Sequence, residues 1–261
     1  MAQEELTEKI GTKKSFISGV ESENSKILND TILVIRSLAE KYNDMEYFQG
    51  DPIIFPRLFA TIAREGEATL QDVEISGILS AHLAWGKREL IIRDCERLFD
   101  EMSWKPFEYV MAAQYRNDSK SLHRTIKWCE MAKIFSNLRE FYSTHKSMEQ
   151  LSAEEIRSMI FGQQVDKKAA NKKIHMFLRW MVRCDGVVDL GIWKSRRASE
   201  LIIPLDVHVH RNALAMGITV RKSADIRTAI EITEYLKQIF PDDPCKGDFA
   251  LFAYSASVQK K

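Results

Sequence analysis

Lys172 and Asp206 are the residues whose types and positions could carry chemistry. Lys172 opens a run, KKIHMFLRWMV, in which Ile174, Phe177, Leu178, Met181 and Val182 fall at the i, i+3, i+4, i+7, i+8 spacing of one buried helical face. Lys172, His175, Arg179 and Arg183 recur at three- and four-residue steps, so they are expected to project together from the exposed side. Asp206 follows 34 residues later, in Pro204-Leu205-Asp206-Val207. There proline fixes the entry, and the aspartate can accept from the first free N–H groups of the next helix. An amine and a carboxylate thus stand at the mouths of two helices. Such a pair offers a nucleophile, once the amine sheds its proton, and a negative charge to steady a developing cation. The bland alternative is a solvated cation and a helix cap.

The elements that must position them read as helices. Leu28, Ile32, Ile35, Leu38, Ala39 and Tyr42 form a stripe over Ser25 to Tyr42, and Asp51-Pro52 and Phe55-Pro56 then break the pattern. Thr69 to Met102 reads as two helices joined at Trp85-Gly86-Lys87, with Thr69 or Asp72 as N-cap. His123 to Tyr142 reads as one long helix, and Leu151 to Phe161 as a short one after the Ser152-Ala153-Glu154-Glu155 start signal. Ala224 to Phe240 and Asp248 to Ser257 complete the set, with Asp248 as an N-cap. No alternating strand appears, which predicts an all-α fold. Residues 1 to 24 are polar and weakly periodic, a tail ahead of a single unit over 25 to 261. Cys184 to Ser199, with Gly186, Gly191 and Trp193, reads as a long loop of the sort that carries recognition.

Composition bounds the function classes. At 261 residues and 45% hydrophobic, the chain can bury a sizeable core. It has neither a membrane-length apolar run nor a signal pattern, so a cytoplasmic location is expected. Cys95, Cys129, Cys184 and Cys245 are too scattered for a local zinc or iron–sulfur loop and read as core residues in a reducing compartment. Asp206, His208 and His210 fall on different helix faces, so neither a metal nor a cofactor is implied. Net charge is only +1, yet Asp166 to Lys222 holds twelve Lys or Arg against five acids. A positive zone on a near-neutral protein suits a polyanion, or is a solvated face.

Three strings narrow this further: FLRWMVR from Phe177, PLDVHV from Pro204, and GDFALF from Gly247. With Lys172 and Asp206 they resemble the helix-hairpin-helix DNA glycosylase superfamily. The chain looks most like a bacterial branch near the archaeal 8-oxoguanine glycosylases. The resemblance implies a two-lobed helical fold with a cleft between a central lobe, about 69–175, and a second lobe from 25–68 plus 176–261. It implies base-excision DNA repair: a glycosylase with AP lyase activity that removes a damaged base, such as an oxidised purine, through a Lys172 Schiff base that Asp206 stabilises. It further implies damaged DNA, duplex or single-stranded, as partner; the oligomeric state stays open, with a monomer expected. In that frame His82 stands where the superfamily fills the hole left by a flipped base, with Trp85 beside it. Lys87, Arg88, Lys167, Lys168, Lys173, Arg179 and Arg211 are candidates for phosphate contacts, and Trp180 and Trp193 for the base pocket. The plain alternative for each is a surface charge or a core aromatic.

The pattern departs from the superfamily at the hairpin before the lysine. Glycines there normally let main-chain N–H groups curl around a phosphate. Here the only glycine is Gly162, followed by QQVDKKAAN. Either Asn171 takes the left-handed position, with Lys167 and Lys168 supplying charge, or the hairpin no longer holds DNA. Lys173 competes with Lys172 as nucleophile, though it points about 100° away on a helix. Two further readings stand beside the enzyme: a non-catalytic nucleic-acid-binding module on the same scaffold, and a helical protein-interaction domain.

Overall fold

Short capping signals and apolar stripes set most of the elements among residues 30–258, the part of the chain that a computed structural model describes. The polar tail expected over 1 to 24, and the start of the Ser25 to Tyr42 helix, lie outside the described residues. Helix α1, residues 30–42, buries Ile35 and Ala39 from the expected stripe. Helix α2 (Ile54–Arg64) was not anticipated, because its prolines read as breakers. Pro56 lies in the first turn, where a missing N–H loses no helical bond, so the pair opens a helix instead of ending one. Phe55 and Phe59 then reach Phe99, with ring centroids 5.1 and 5.4 Å apart.

The central helix is α3 (Leu70–Leu83). Thr69 is its N-cap, and Thr69 and Asp72 each bond the other's backbone N–H in a capping box. Eleven of its fourteen residues are buried, which a helix tolerates only when other elements cover it on all sides. It packs on α2, on α4 (Arg88–Glu101), on α5 (Pro106–Ala112) and on α8 (Lys172–Val182). The approach to α8 is close because Gly77 has no side chain: a Cβ there would lie 3.0 Å from the Phe177 ring. The expected join at Trp85-Gly86-Lys87 falls between α3 and α4.

The long helix expected from His123 begins later. Ser121–His123 (β1) and Ile126–Lys127 (β2) form an antiparallel hairpin, and only then does α6 (Trp128–Thr144) start. Arg124 turns the chain at φ 53°, its carbonyl held by the Ser121 hydroxyl. The His123 ring is held by the Asp94 carboxylate at 2.8 Å and the Trp85 carbonyl at 2.9 Å, tertiary partners that sequence periodicity does not register. The structure is therefore mostly helical with one short hairpin. Ser152 caps α7 (Ala153–Glu155), which continues as a π-turn over Ile156–Ile160. Asp206 caps α9 (Val207–Ala215) and Asp225 caps α10 (Ile226–Ile239); α11 (Lys246–Val258) closes the order.

The basic face expected on α8 is not exposed. His175, Arg179 and Arg183 are 5%, 6% and 1% exposed. Arg179 bonds Asp189 at 3.3 Å and Asp248 at 2.8 Å, while Arg183 bonds Asp189 at 3.0 Å and Asp243 at 2.7 Å. Carboxylates distant in sequence neutralise the guanidinium groups, and burial of a charge is tolerable only when it is so paired. Asp248 belongs to that network inside the first turn of α11 and is not its N-cap. The 184–199 connection is likewise tied down. Trp193 N–H donates to the Met181 carbonyl and its indole N–H to Glu74 at 2.8 Å, while Tyr142, Ser147 and the Met148 N–H also donate to Glu74. No helix among the described residues is long and apolar enough to cross a membrane.

Candidate active site

Two helix beginnings bring the amine and the carboxylate together. Asn171, at φ 46° and ψ 39°, occupies the left-handed region just before Lys172, and its side-chain oxygen accepts from Arg157 at 2.9 Å. Asparagine enters that region more readily than most residues, so the turn forms here without a glycine. Across the gap, Asp206 Oδ1 accepts from the His208 and Val209 N–H groups, both at 2.9 Å. That cap fixes the carboxylate. Its other oxygen, Oδ2, lies 3.9 Å from Lys172 Nζ, which also donates to the Ala84 carbonyl at 3.3 Å. The pair is close enough for strong charge interaction but too long for a direct hydrogen bond.

The gap opens into a cavity of about 700 Å³ lined by both residues. That volume lies in the usual range for small-molecule sites and can admit a nucleobase. Phe48, Phe249 and Phe252 give it apolar walls, and Trp85 and His82 line it from the α3 side. Asp51, Arg179 and Asp248 add charge. Burial raises the Asp51 carboxyl above its ordinary value, against the pull of the Ile53 N–H and of Arg179. Burial also raises Asp248, to about 6, although Arg179 opposes the shift. The buried Asp248 Oδ1 has no hydrogen-bond partner.

The other sequence candidates divide. Lys173 and Arg88 line the cavity, the latter also donating to the Tyr47 carbonyl at 3.3 Å. His82 is half-buried, stacks on Phe161 with centroids 4.9 Å apart, and has its pKa lowered to about 3 by burial. Arg179 reaches the cavity but is buried and ion-paired, so it does not present its charge to a phosphate outside. Lys87, Lys167, Lys168 and Arg211 are exposed and lie off the cavity wall. Lys167 and Lys168 instead share a shallow hollow with Arg157.

Trp180 and Trp193 are not base platforms. They are 0% and 2% exposed and line no part of the cavity, because one packs in the core of α8 and the other is pinned to Glu74. Trp85 holds the aromatic place at the wall, with Arg124 4.2 Å from its ring centroid. Sequence reading overlooked Asp51, hidden in a dipeptide that looked like a breaker, and assigned Asp248 to a cap. Its place in the GDFALF string was the available signal. Among the described residues no group of three or more His, Cys, Asp or Glu side chains gathers as a metal site.

A family model described as "Protein of unknown function (DUF2400)" matches residues 51–166 and 153–257. No curated protein and no solved structure matches the chain significantly.

Proposed function

We propose that this chain, which belongs to the DUF2400 family of proteins of unknown function, is a DNA glycosylase with AP lyase activity. Its helices are read as the two lobes of the helix-hairpin-helix glycosylase fold, and its substrate as DNA carrying a damaged base. The observation that carries the reading is the Lys172 Nζ to Asp206 Oδ2 separation of 3.9 Å at the edge of a cavity that a base can enter. The resemblance of Pro204-Leu205-Asp206-Val207-His208-Val209 to the glycosylase motif supports it, as does the left-handed Asn171 ahead of the lysine.

In this mechanism the target nucleotide rotates out of the stack, since its glycosidic carbon is inaccessible within a duplex. Lys172 loses a proton and its lone pair attacks C1′. The C1′–N bond breaks, its electrons leave with the base, and the base takes up a proton. The sugar ring then opens to a Schiff base on Nζ. Asp206, held by its two cap bonds, faces the positive charge that develops on the sugar and needs no reorganisation to do so. Elimination at C2′ follows and cuts the strand.

Incubation of the purified protein with duplex oligonucleotides carrying a panel of lesions, with borohydride present, tests the reading. A covalent protein–DNA adduct is expected on at least one lesion, and Lys172→Gln is expected to abolish it. An adduct unchanged in Lys172→Gln overturns the lysine assignment. DNA binding without base release by the wild type, over the whole panel, leaves the non-catalytic binding module as the better reading.

A further inference from the structure

The cavity holds a second lysine. Lys173 lines the same wall as Lys172 although neighbouring residues on a helix point about 100° apart. Both fit because their partners line one cavity: Lys172 lies by Asp206, and Lys173 by Trp85, its Nζ 5.8 Å from the indole ring centroid. The two amines meet different partners. Lys172 has a carboxylate and a carbonyl, whereas among the described residues no ion pair or hydrogen bond holds the Lys173 amine.

We propose that Lys173 is the base that removes the C2′ proton once the Schiff base has formed on Lys172, a step that rests on the glycosylase reading above. The C2′–H bond breaks, its proton passes to the lone pair of Lys173 Nζ, and its electrons form the C1′=C2′ bond of an enamine. The enamine then expels the 3′-phosphate, breaking C3′–O and cutting the strand. No oxidant or further reactant enters the step.

The surroundings ease the loss of a proton from this amine. Burial, then the charge of Lys172, lowers the Lys173 pKa to about 8, and no carboxylate offsets either effect. The charges that bear on it include Lys172 on its own helix and His82 on α3, which feels its charge; Arg124 from the hairpin turn lies against the same Trp85 ring. None is an acid. The cavity's other basic side chains serve less well. Arg88, Arg157 and Arg179 do not release a proton in a protein, His82 is too weak a base, and His208 lies exposed at the start of α9.

The test uses the full-length protein and a duplex containing one abasic site, so the identity of the damaged base does not matter. Adduct formed with borohydride is compared with strand cleavage formed without it, for wild type, Lys173→Gln and Lys173→Arg. Arginine keeps the charge that a phosphate contact needs but cannot act as the base. The ratio of cleavage to adduct is expected to fall about a hundredfold or more in both variants, in line with the usual size of a general-base contribution. In wild type that ratio should climb about tenfold per pH unit below about 8 and then level, because the base works only when unprotonated, and the variants should lose this rise. A Lys173→Arg protein that cleaves like wild type overturns the proposal in favour of a phosphate contact. Loss of the adduct itself in Lys173→Gln overturns it by making Lys173 the nucleophile. Failure of the wild type to form any adduct removes the glycosylase reading and this assignment with it.

Discussion

Asp206 performs two tasks with its two oxygens, and the tasks separate by mutation. Oδ1 caps α9 through His208 and Val209, while Oδ2 faces the Lys172 amine. Asparagine is as good an N-cap as aspartate but carries no charge. Asp206→Asn is therefore expected to melt within a degree or two of wild type and to bind DNA, yet to turn over about a hundredfold more slowly or worse, from the loss of one preorganised charge. A thermal melt and a single-turnover assay check this together; near-normal turnover would reduce Asp206 to a cap. Both residues of the pair were legible because each announces itself locally, one by opening an amphipathic run and the other by following proline at a helix mouth. Asp51, Arg179 and Asp248 were not, because what they do depends on partners 69 residues away in one case and on a cavity no local pattern encodes.

At the scale of the element, α8 shows where periodicity misleads. Its apolar stripe was read correctly, but the cationic stripe behind it is buried against Asp189, Asp243 and Asp248. Charge at helical spacing ordinarily marks solvent; here the acids come from the 184–199 connection and from the region where α11 begins. The capped helices were legible through Thr69, Ser152 and Asp206, whereas α2 was hidden by its prolines and the β1–β2 hairpin by the tertiary hold on His123. The buried network also gives the fold a pH signature. Asp248 titrates at about 6 in the folded chain, above the ordinary 3.8, so folding takes up a proton there. The contribution of this group to stability rises as pH falls through 6 and is lost as pH rises above it. Between pH 7 and pH 5 wild type is expected to gain on the order of 1 kcal/mol relative to Asp248→Asn. Paired denaturation curves at the two pH values measure it, and a gap that stays constant or moves the other way contradicts the assignment.

Across the whole molecule, positive charge is concentrated in one stretch of the sequence. The chain carries +1 overall while Asp166 to Lys222 holds twelve cations and five acids. Part of that excess is spent internally, since Arg179 and Arg183 are paired and buried, which leaves Lys167, Lys168 and Arg211 among the exposed cations. If Lys167 and Lys168 hold phosphates ahead of α8, the double change Lys167→Ala, Lys168→Ala weakens DNA binding on all sequences alike. It also lowers the slope of log affinity against log salt by about two, one per phosphate lost. An unchanged slope in a salt titration would place DNA elsewhere. The proposed chemistry rests on one amine. Digesting the borohydride-trapped adduct and mapping the modified peptide by mass spectrometry tests it most directly. The sugar is predicted on Lys172 Nζ; a sugar on any other residue, Lys173 included, or no adduct on any lesion, contradicts it.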